Sequence, residues 1–278
     1  MTALVSAFLS PVKINVTKLF SIATTLPTSS SLIQKLIIFN EIEHIIHTQS
    51  DLSHHSNLDL VLINWPFILP KAAIQKHYRI LNVHNSLLPR YRGRHAFTWA
   101  MLHGEKQVGY TLHEVEEGID SGAIFSQVSL PVLPADDINT LFQKGAQTLE
   151  DWLPQALKDV STGAAKPKPQ NEALSSYFPK RKPEDNLIDF QNSGQAINNF
   201  IRSVRPPYTP GAFFDVQKTR YFVDRCSPLE PSACLPENSH EESSSLVIYQ
   251  LNVDHHYALS TCQNGLLKIH LVCDSAVS

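Results

Sequence analysis

The chain has 278 residues, 42% of them apolar and 18% charged, with a formal net charge of -3 at pH 7. That is enough chain for one large α/β unit plus a small appended module, with an ordinary globular composition. The slightly acidic balance argues against nucleic acid as a partner, because phosphate binding calls for a basic domain or stripe.

The first residues, MTALVSAFLSPVKINV, are partly apolar but carry no positive leader and no small-residue cleavage site, so no signal peptide is expected. TALVSAFL reads as a first strand. No apolar run reaches the roughly 18 residues of a spanning helix, and a soluble cytoplasmic protein without membrane contacts is expected. LIQKLIIFNEIEHIIHT reads as helix into strand. LDLVLINW, residues 58 to 65, is apolar nearly throughout, as a parallel strand buried on both faces should be. Pro66 and Pro70 break the chain, KAAIQKHY reads as a short helix, and RILNVHN as the next strand. Strand, helix and strand at this spacing make a parallel β-α-β unit.

Residues 86 to 94 form a loop rich in Pro, Arg and Gly, followed by the helix HAFTWAMLHG, which Gly104 ends. QVGYTLHEV reads as a strand with polar alternation, EEGIDSGA as a turn and IFSQVSLPV as another strand. Asp136 or Asp137 can cap a helix that starts near Ile138. Its apolar positions Ile138, Leu141, Phe142, Leu149, Trp152, Leu153 and Leu157 form one core-facing stripe.

From 161 to 185 the composition turns to Gly, Pro, Lys and polar residues, which marks a boundary or strap. Its basic patches, KPKPQ and FPKRKPED, read as solvated linker. SGQAINNFIRSV is an amphipathic helix closed by Pro206 and Pro207. GAFFDV, RYFVD, SLVIYQLNV, YALSTC and LLKIHLV then read as short strands, with SPLEPSACLPENSHEESSS as an exposed, mobile insert. The organisation expected is an α/β fold: a Rossmann-like, mostly parallel sheet over residues 1–160, a linker strap with its helix over 161–210, and a small β-rich module over 211–278. Cys226, Cys234, Cys262 and Cys273 form no CxxC pair and have no histidine at metal-ligand spacing. Free thiols and no metal site are expected.

The first glycine is Gly93, so there is no GxGxxG after the first strand, and there is no P-loop. A cofactor held by its diphosphate in the usual way is not expected. Ligands of parallel sheets bind beyond the carboxyl ends of the strands, which directs attention to the loops after Trp65 and Asn85.

Asn82 and His84 are two apart on a strand, so their side chains share a face. Imidazole can take a proton near neutral pH. The neighbouring amide NH2 can donate to an oxygen on which charge develops. Asp120, in the GIDSG turn, could orient His84 and stabilise its imidazolium. From these residues alone, a strand-end histidine with a structural hydrogen bond remains the competing reading.

The segment LNVHNSLLPRYRG, then WA, then GYTLHEVEEGIDSGAIFSQ, resembles the core of the folate-dependent formyltransferases. The family pattern of Asn-x-His, SLLPxYRG and DxG corresponds to Asn82, His84, residues 86 to 89, residues 91 to 93, and Asp120 with Gly122. FIRSVRPPYTPGAFF is a weaker echo of a later family segment, and the resemblance covers roughly half of the chain. It implies a Rossmann-like formyltransferase core with 10-formyltetrahydrofolate as formyl donor. It places the pterin near Trp65, Phe67, Ile68 and Leu69, with Asp120 also reaching the donor. It also implies a primary amine as acceptor, His84 as proton acceptor, Asn82 as holder of the oxyanion, and Asp120 as partner of His84 in proton transfer. Neither a metal nor a covalent intermediate is then needed.

Asn85 and Ala96 stand where many relatives have proline, which should shift loop geometry without touching the chemistry. RGRHAFTWA most resembles the sugar N-formyltransferases, which implies a nucleotide-linked amino sugar as acceptor. Arg90, Tyr91, Arg92, Arg94 and His95 would then meet the acceptor or its diphosphate, with Tyr208 and Phe213 stacking on base or sugar. An amino acid or hydroxyornithine-type amine, hydrolysis of the donor, and a non-catalytic binding member are the alternatives. The acidic, serine-rich insert disfavours tRNA. Oligomeric state stays open, with a homodimer across the apolar C-terminal strands as one option.

Overall fold

The computed structural model describes residues 20–24, 26–39, 42–229, 248–252, 257–263 and 265–272. TALVSAFL, read as the first strand, lies outside them, as does the insert beyond Leu229. The described chain runs β1 (Phe20–Thr24), α1 (Ser31–Phe39), β2 (Ile42–Ile46), α2 (Gln49–Ser53), β3 (Asp59–Ile63), α3 (Lys71–Ile74) and β4 (Arg79–His84). It continues through β5 (Arg92–Gly93), α4 (Ala96–Leu102), β6 (Gln107–Glu114), β7 (Ile124–Pro131), α5 (Ile138–Ser161) and β8 (Tyr177–Phe178). Then follow α6 (Gly194–Ser203), β9 (Ala212–Val216), β10 (Thr219–Leu229), β11 (Ile248–Asn252), β12 (Tyr257–Cys262) and β13 (Gly265–Leu271).

Six strands form the main sheet in the order β2-β1-β3-β4-β6-β7. The first four are mutually parallel, β6 runs antiparallel to β4, and β7 antiparallel to β6. The chain goes outward from β1 to β2 and then crosses to β3 on the other side. Strand order therefore reverses at β1, and a ligand crevice is expected beyond the carboxyl ends of the strands.

The continuous apolar run of β3 follows from burial on both faces. Val61 and Ile63 enter one core with Leu36, Leu81, Phe97 and Leu153, while Leu60 and Leu62 enter another with Leu52 and Ile80. Alternate side chains of a strand point to opposite faces, so only an all-apolar strand satisfies both. QVGYTLHEV differs from its expected half-exposed alternation, because Val108 to His113 are all buried. Its polar Thr111 is satisfied internally, donating to the Ser86 carbonyl at 2.6 Å and accepting from Gln127 at 2.8 Å and the Leu88 N–H at 3.2 Å.

Asp137, rather than Asp136, caps α5. Its carboxylate accepts from the Asn139 and Thr140 N–H groups at 2.9 Å, and the Thr140 hydroxyl accepts from the Asp137 N–H at 2.9 Å. Asp136 instead holds Lys144 at 2.7 Å. Replacing Asp137 with Ala removes the cap and a carboxylate that Arg205 meets at 3.2 Å. A loss of about 1–2 kcal/mol is expected in denaturant unfolding, and an unchanged midpoint would count against this account of the helix start.

The C-terminal sheet is wholly antiparallel, in the order β11-β12-β13-β10-β9. Ile197 and Ile201 of α6 share its core with Phe214, Val223 and Ile269, and so do Ile188 and Phe190. The helix read as part of a linker is thus the cover of this sheet. Arg202 on the same helix donates to the carbonyls of Leu133, Pro134 and Asp136 at 3.2, 3.0 and 2.6 Å, tying the module to the main sheet. Cys226 is a free thiol; Cys234 and Cys273 lie outside the described residues.

The basic stretches expected as solvated linker are largely exposed, yet they are tied to the fold at a few points. Lys168 exchanges backbone hydrogen bonds with Ile124 at 2.8 and 2.9 Å, and β8 pairs with β5. Arg181 lies over the rings of Trp99 and Phe200, 5.1 and 5.5 Å from their centroids. A strap with so few apolar side chains is held by backbone pairing and cation-aromatic contacts, which hydropathy does not register.

Candidate active site

A cavity of about 570 Å³ opens beyond the carboxyl ends of β3 and β4. Asn82, His84, His113 and Asp120 all line it. Asn82 and His84 come from one face of β4. His113 stands opposite Asn82 in the antiparallel β4–β6 register. Asp120 reaches them from the turn after β6, where its backbone is left-handed at φ 49°. Two glycines permit this fit. A Cβ at Gly122 would overlap the Glu114 carbonyl oxygen. At Gly93, with φ +96°, a Cβ would overlap the Phe178 carbonyl oxygen. The Gly93 N–H donates to Asp120 Oδ2 at 2.9 Å.

Hydrogen bonding settles which nitrogen of each imidazole carries a proton. His84 Nε2 lies 2.9 Å from the Tyr91 carbonyl oxygen, which can only accept, so Nε2 donates. The basic Nδ1 then faces Asp120 Oδ2 at 3.5 Å. The Tyr91 carbonyl thus holds one edge of the His84 ring, and the Asp120 carboxylate approaches the other. In His113, Nδ1 donates to the Glu114 carbonyl at 2.8 Å. Its Nε2 accepts from the Asn82 amide nitrogen at 3.2 Å. This fixes the amide rotamer and holds one N–H of Asn82 on the ring.

Burial, with His84 as a second cause, pushes the His113 imidazole down to about 4, although Asp120 pulls the other way. The 3.6 Å approach of His113 Nε2 to Asp120 Oδ1 is therefore a contact of a neutral ring. Unfolding would restore His113 to its ordinary value of 6.5. The unfolded chain then binds the extra proton first, so the His113 contribution is intact above pH 6.5 and is lost as pH falls towards 4. The difference in melting temperature between the wild type and His113→Gln should change across that window. Parallel curves would exclude this linkage.

Trp65, Phe67, Ile68 and Leu69 form one wall of the cavity. Trp65 and Phe67 meet edge to face at 5.4 Å, and Ile68 is 76% exposed at the rim. Arg94, His95 and Tyr208 lie on another wall with Lys180. Arg94 Nη2 donates to the Pro66 carbonyl at 2.5 Å, joining the two walls. Burial and the cations Lys180, Arg181 and Arg94 lower the His95 pKa, which favours a neutral ring at neutral pH.

Four residues expected to touch the acceptor do not line this cavity. Arg90 points outward and pairs with Glu105. The Tyr91 ring is buried against Phe178 at 5.0 Å and its hydroxyl donates to Glu105 at 2.8 Å, so only its carbonyl serves the site. Arg92 is fully buried and bound by Glu172 and Gln170. Phe213 is buried beside Phe222, with the Arg220 guanidinium 3.6 Å above its ring. His113 and Lys180 were not among the expected site residues. The histidine sits inside the TLHE strand, but its place opposite Asn82 depends on an antiparallel register that spacing does not disclose.

Among the described residues, no group of three or more His, Cys, Asp or Glu side chains is arranged to hold a metal, and no helix is long and apolar enough to cross a membrane. Residues 44–157 match the model of the formyl transferase family, and residues 180–272 that of the formyl transferase C-terminal domain. A methionyl-tRNA formyltransferase of Citrifermentans bemidjiense is 36% identical over 155 residues, which cover 55% of this chain and 48% of that protein. Another, from Levilactobacillus brevis, is 28% identical over 193 residues, covering 68% of this chain and 57% of that protein. The chain thus spans about half the length of the curated relatives it matches. In fold it is similar to an N-formyltransferase of Helicobacter canadensis solved with folinic acid and dTDP-3-aminofucose. That likeness has a TM-score of 0.64 at 18% identity, over 91% of this chain and 98% of that one. With both family models matched, one on the main sheet and one on the C-terminal module, the chain belongs to the formyl transferase family.

Proposed function

We propose that this protein transfers a formyl group from 10-formyltetrahydrofolate to the primary amine of a nucleotide-linked amino sugar. The observation that carries the reading is the convergence of Asn82, His84 and Asp120 on one cavity between an apolar aromatic wall and a cationic one. The first wall, with Trp65 and Phe67, suits a flat pterin; the second, with Arg94, Lys180 and Tyr208, suits a diphosphate and a base.

In the proposed reaction the amine nitrogen attacks the formyl carbon, and the carbonyl electrons move onto oxygen. The second N–H of Asn82 donates to that oxygen. Nδ1 of His84 takes the amine proton, and Asp120 stabilises the cation so formed. Collapse of the tetrahedral species breaks the bond to folate N10, and the proton passes to that nitrogen. The N-formylated amino sugar and tetrahydrofolate are the products, with no net change in charge or oxidation state.

A second reading, formylation of an aminoacyl-tRNA, is favoured by the names of the curated relatives. The test is release of tetrahydrofolate with dTDP-, UDP- and GDP-linked amino sugars, hydroxyornithine, methionyl-tRNA and no acceptor. Release with one nucleotide sugar, and a product heavier by one formyl group, is expected. Release with methionyl-tRNA alone would replace the sugar reading, and release without acceptor would indicate hydrolysis. No release with any of them would overturn the nucleotide-sugar reading and favour another acceptor or a non-catalytic binding member.

A further inference from the structure

We propose that Gln170, on the strap between α5 and β8, is a positioning residue that fixes the carboxylate of Asp120 in the active site. The inference rests on the formyl-transfer reading above and adds a residue from outside the motif that carries it. Gln170 Nε2 donates to the carbonyls of Asp120 and Gly122, each at 2.8 Å. Its Oε1 accepts from Nε and Nη2 of Arg92 at 3.1 and 2.7 Å. The amide orientation is unambiguous, because a guanidinium only donates and a carbonyl only accepts. Both N–H groups and both lone pairs of one side chain are thereby used.

Arg92 is itself locked. Its side chain has no exposure, it meets Glu172 at 2.6 and 2.9 Å, it contacts the Tyr177 hydroxyl, and its backbone N–H donates to Ser176 at 2.8 Å. The next residue is Gly93, whose N–H holds Asp120 Oδ2. Main chain and side chain of Asp120 are therefore both anchored to residues 92 and 93, the first through Gln170 and the second directly. Asp120 has a left-handed backbone at φ 49°. Aspartate visits this region only when its surroundings hold it there. Without Gln170, the turn loses its hold on two carbonyls, and the carboxylate loses its fixed 3.5 Å approach to His84. A misplacement of about 1 Å can cost on the order of 100-fold in rate.

Gln170→Ala should lower kcat about 10- to 100-fold with both KM values within about two-fold. It should also move the Gly93 amide proton upfield in an NMR spectrum and speed its exchange, because that N–H reports its bond to the Asp120 carboxylate. Gln170→Glu keeps an acceptor for Arg92 but sets a carboxylate against the two carbonyls, and should lose turnover as Ala does; it also provides the measurement if Gln170→Ala fails to fold. In an Asp120→Asn background, Gln170→Ala should add little further loss. Full turnover in Gln170→Glu would overturn the proposal, as would a loss in Gln170→Ala with the Gly93 resonance unmoved. If the wild type transfers no formyl group, the functional reading fails, while the Gly93 resonance still tests the positioning role.

Discussion

His84→Ala is expected to reduce turnover by about 10²–10⁴-fold, the usual worth of a placed general base, while binding of a folate analogue stays intact. His84 is almost completely buried, and its Nε2 is committed to the Tyr91 carbonyl at 2.9 Å. That leaves Nδ1 as the only basic atom of the ring, directed at the cavity and Asp120. Truncation removes the acceptor for the amine proton and leaves the Tyr91 carbonyl without its donor. The second effect should destabilise the fold by about 1–3 kcal/mol, little enough for the variant to be purified. Single-turnover rates and the dissociation constant of the analogue separate the two consequences. Turnover within about three-fold of wild type, against the general-base expectation, would transfer the base role to Asp120. A large rise in the dissociation constant with turnover preserved would make His84 a binding residue instead.

Much of this site was legible in the sequence because its parts are local. Asn82 and His84 share a strand face by their spacing alone, and GIDSG declares a tight turn around a carboxylate. The wall from Trp65 to Leu69 follows a continuously apolar parallel strand, at the end where ligands of such sheets are expected. The parallel β3–β4 pair and the start of α5 follow from apolar run length and capping chemistry. What the sequence hid depends on pairing between distant segments. His113 becomes the partner of Asn82 only through the β4–β6 register. Arg90, Arg92 and Arg94 alternate along the chain, yet only Arg94 lines the cavity: Arg92 turns inward to Gln170 and Glu172, and Arg90 turns outward to Glu105. Counting cations in a loop cannot distinguish these fates, since each is fixed by residues on other elements. Phe213 belongs to the core for the same reason, because an aromatic residue beside a Pro-Gly turn serves a core as readily as a ligand.

Asn82→Ala should cost about 10²–10³-fold in kcat, as expected for removal of one oxyanion donor, with little change in either KM. The amide has two N–H groups, and His113 occupies one at 3.2 Å. The other is therefore aimed by a buried neutral ring whose own Nδ1 is held by the Glu114 carbonyl at 2.8 Å. A donor fixed in this way needs no reorientation as charge develops on the formyl oxygen, so its contribution belongs to the transition state. Asn82→Asp is the sharper comparison. It preserves shape but presents acceptor oxygens both to the lone pair of His113 and to the developing oxyanion, and should be no better than Ala. Near-normal kcat in Asn82→Asp would show that shape, rather than a donated proton, is what the position supplies. A raised KM with unchanged kcat in Asn82→Ala would place Asn82 in ground-state binding. The predicted result, loss in kcat with both changes, follows only if the His113 imidazole stays neutral, and its burial enforces that state.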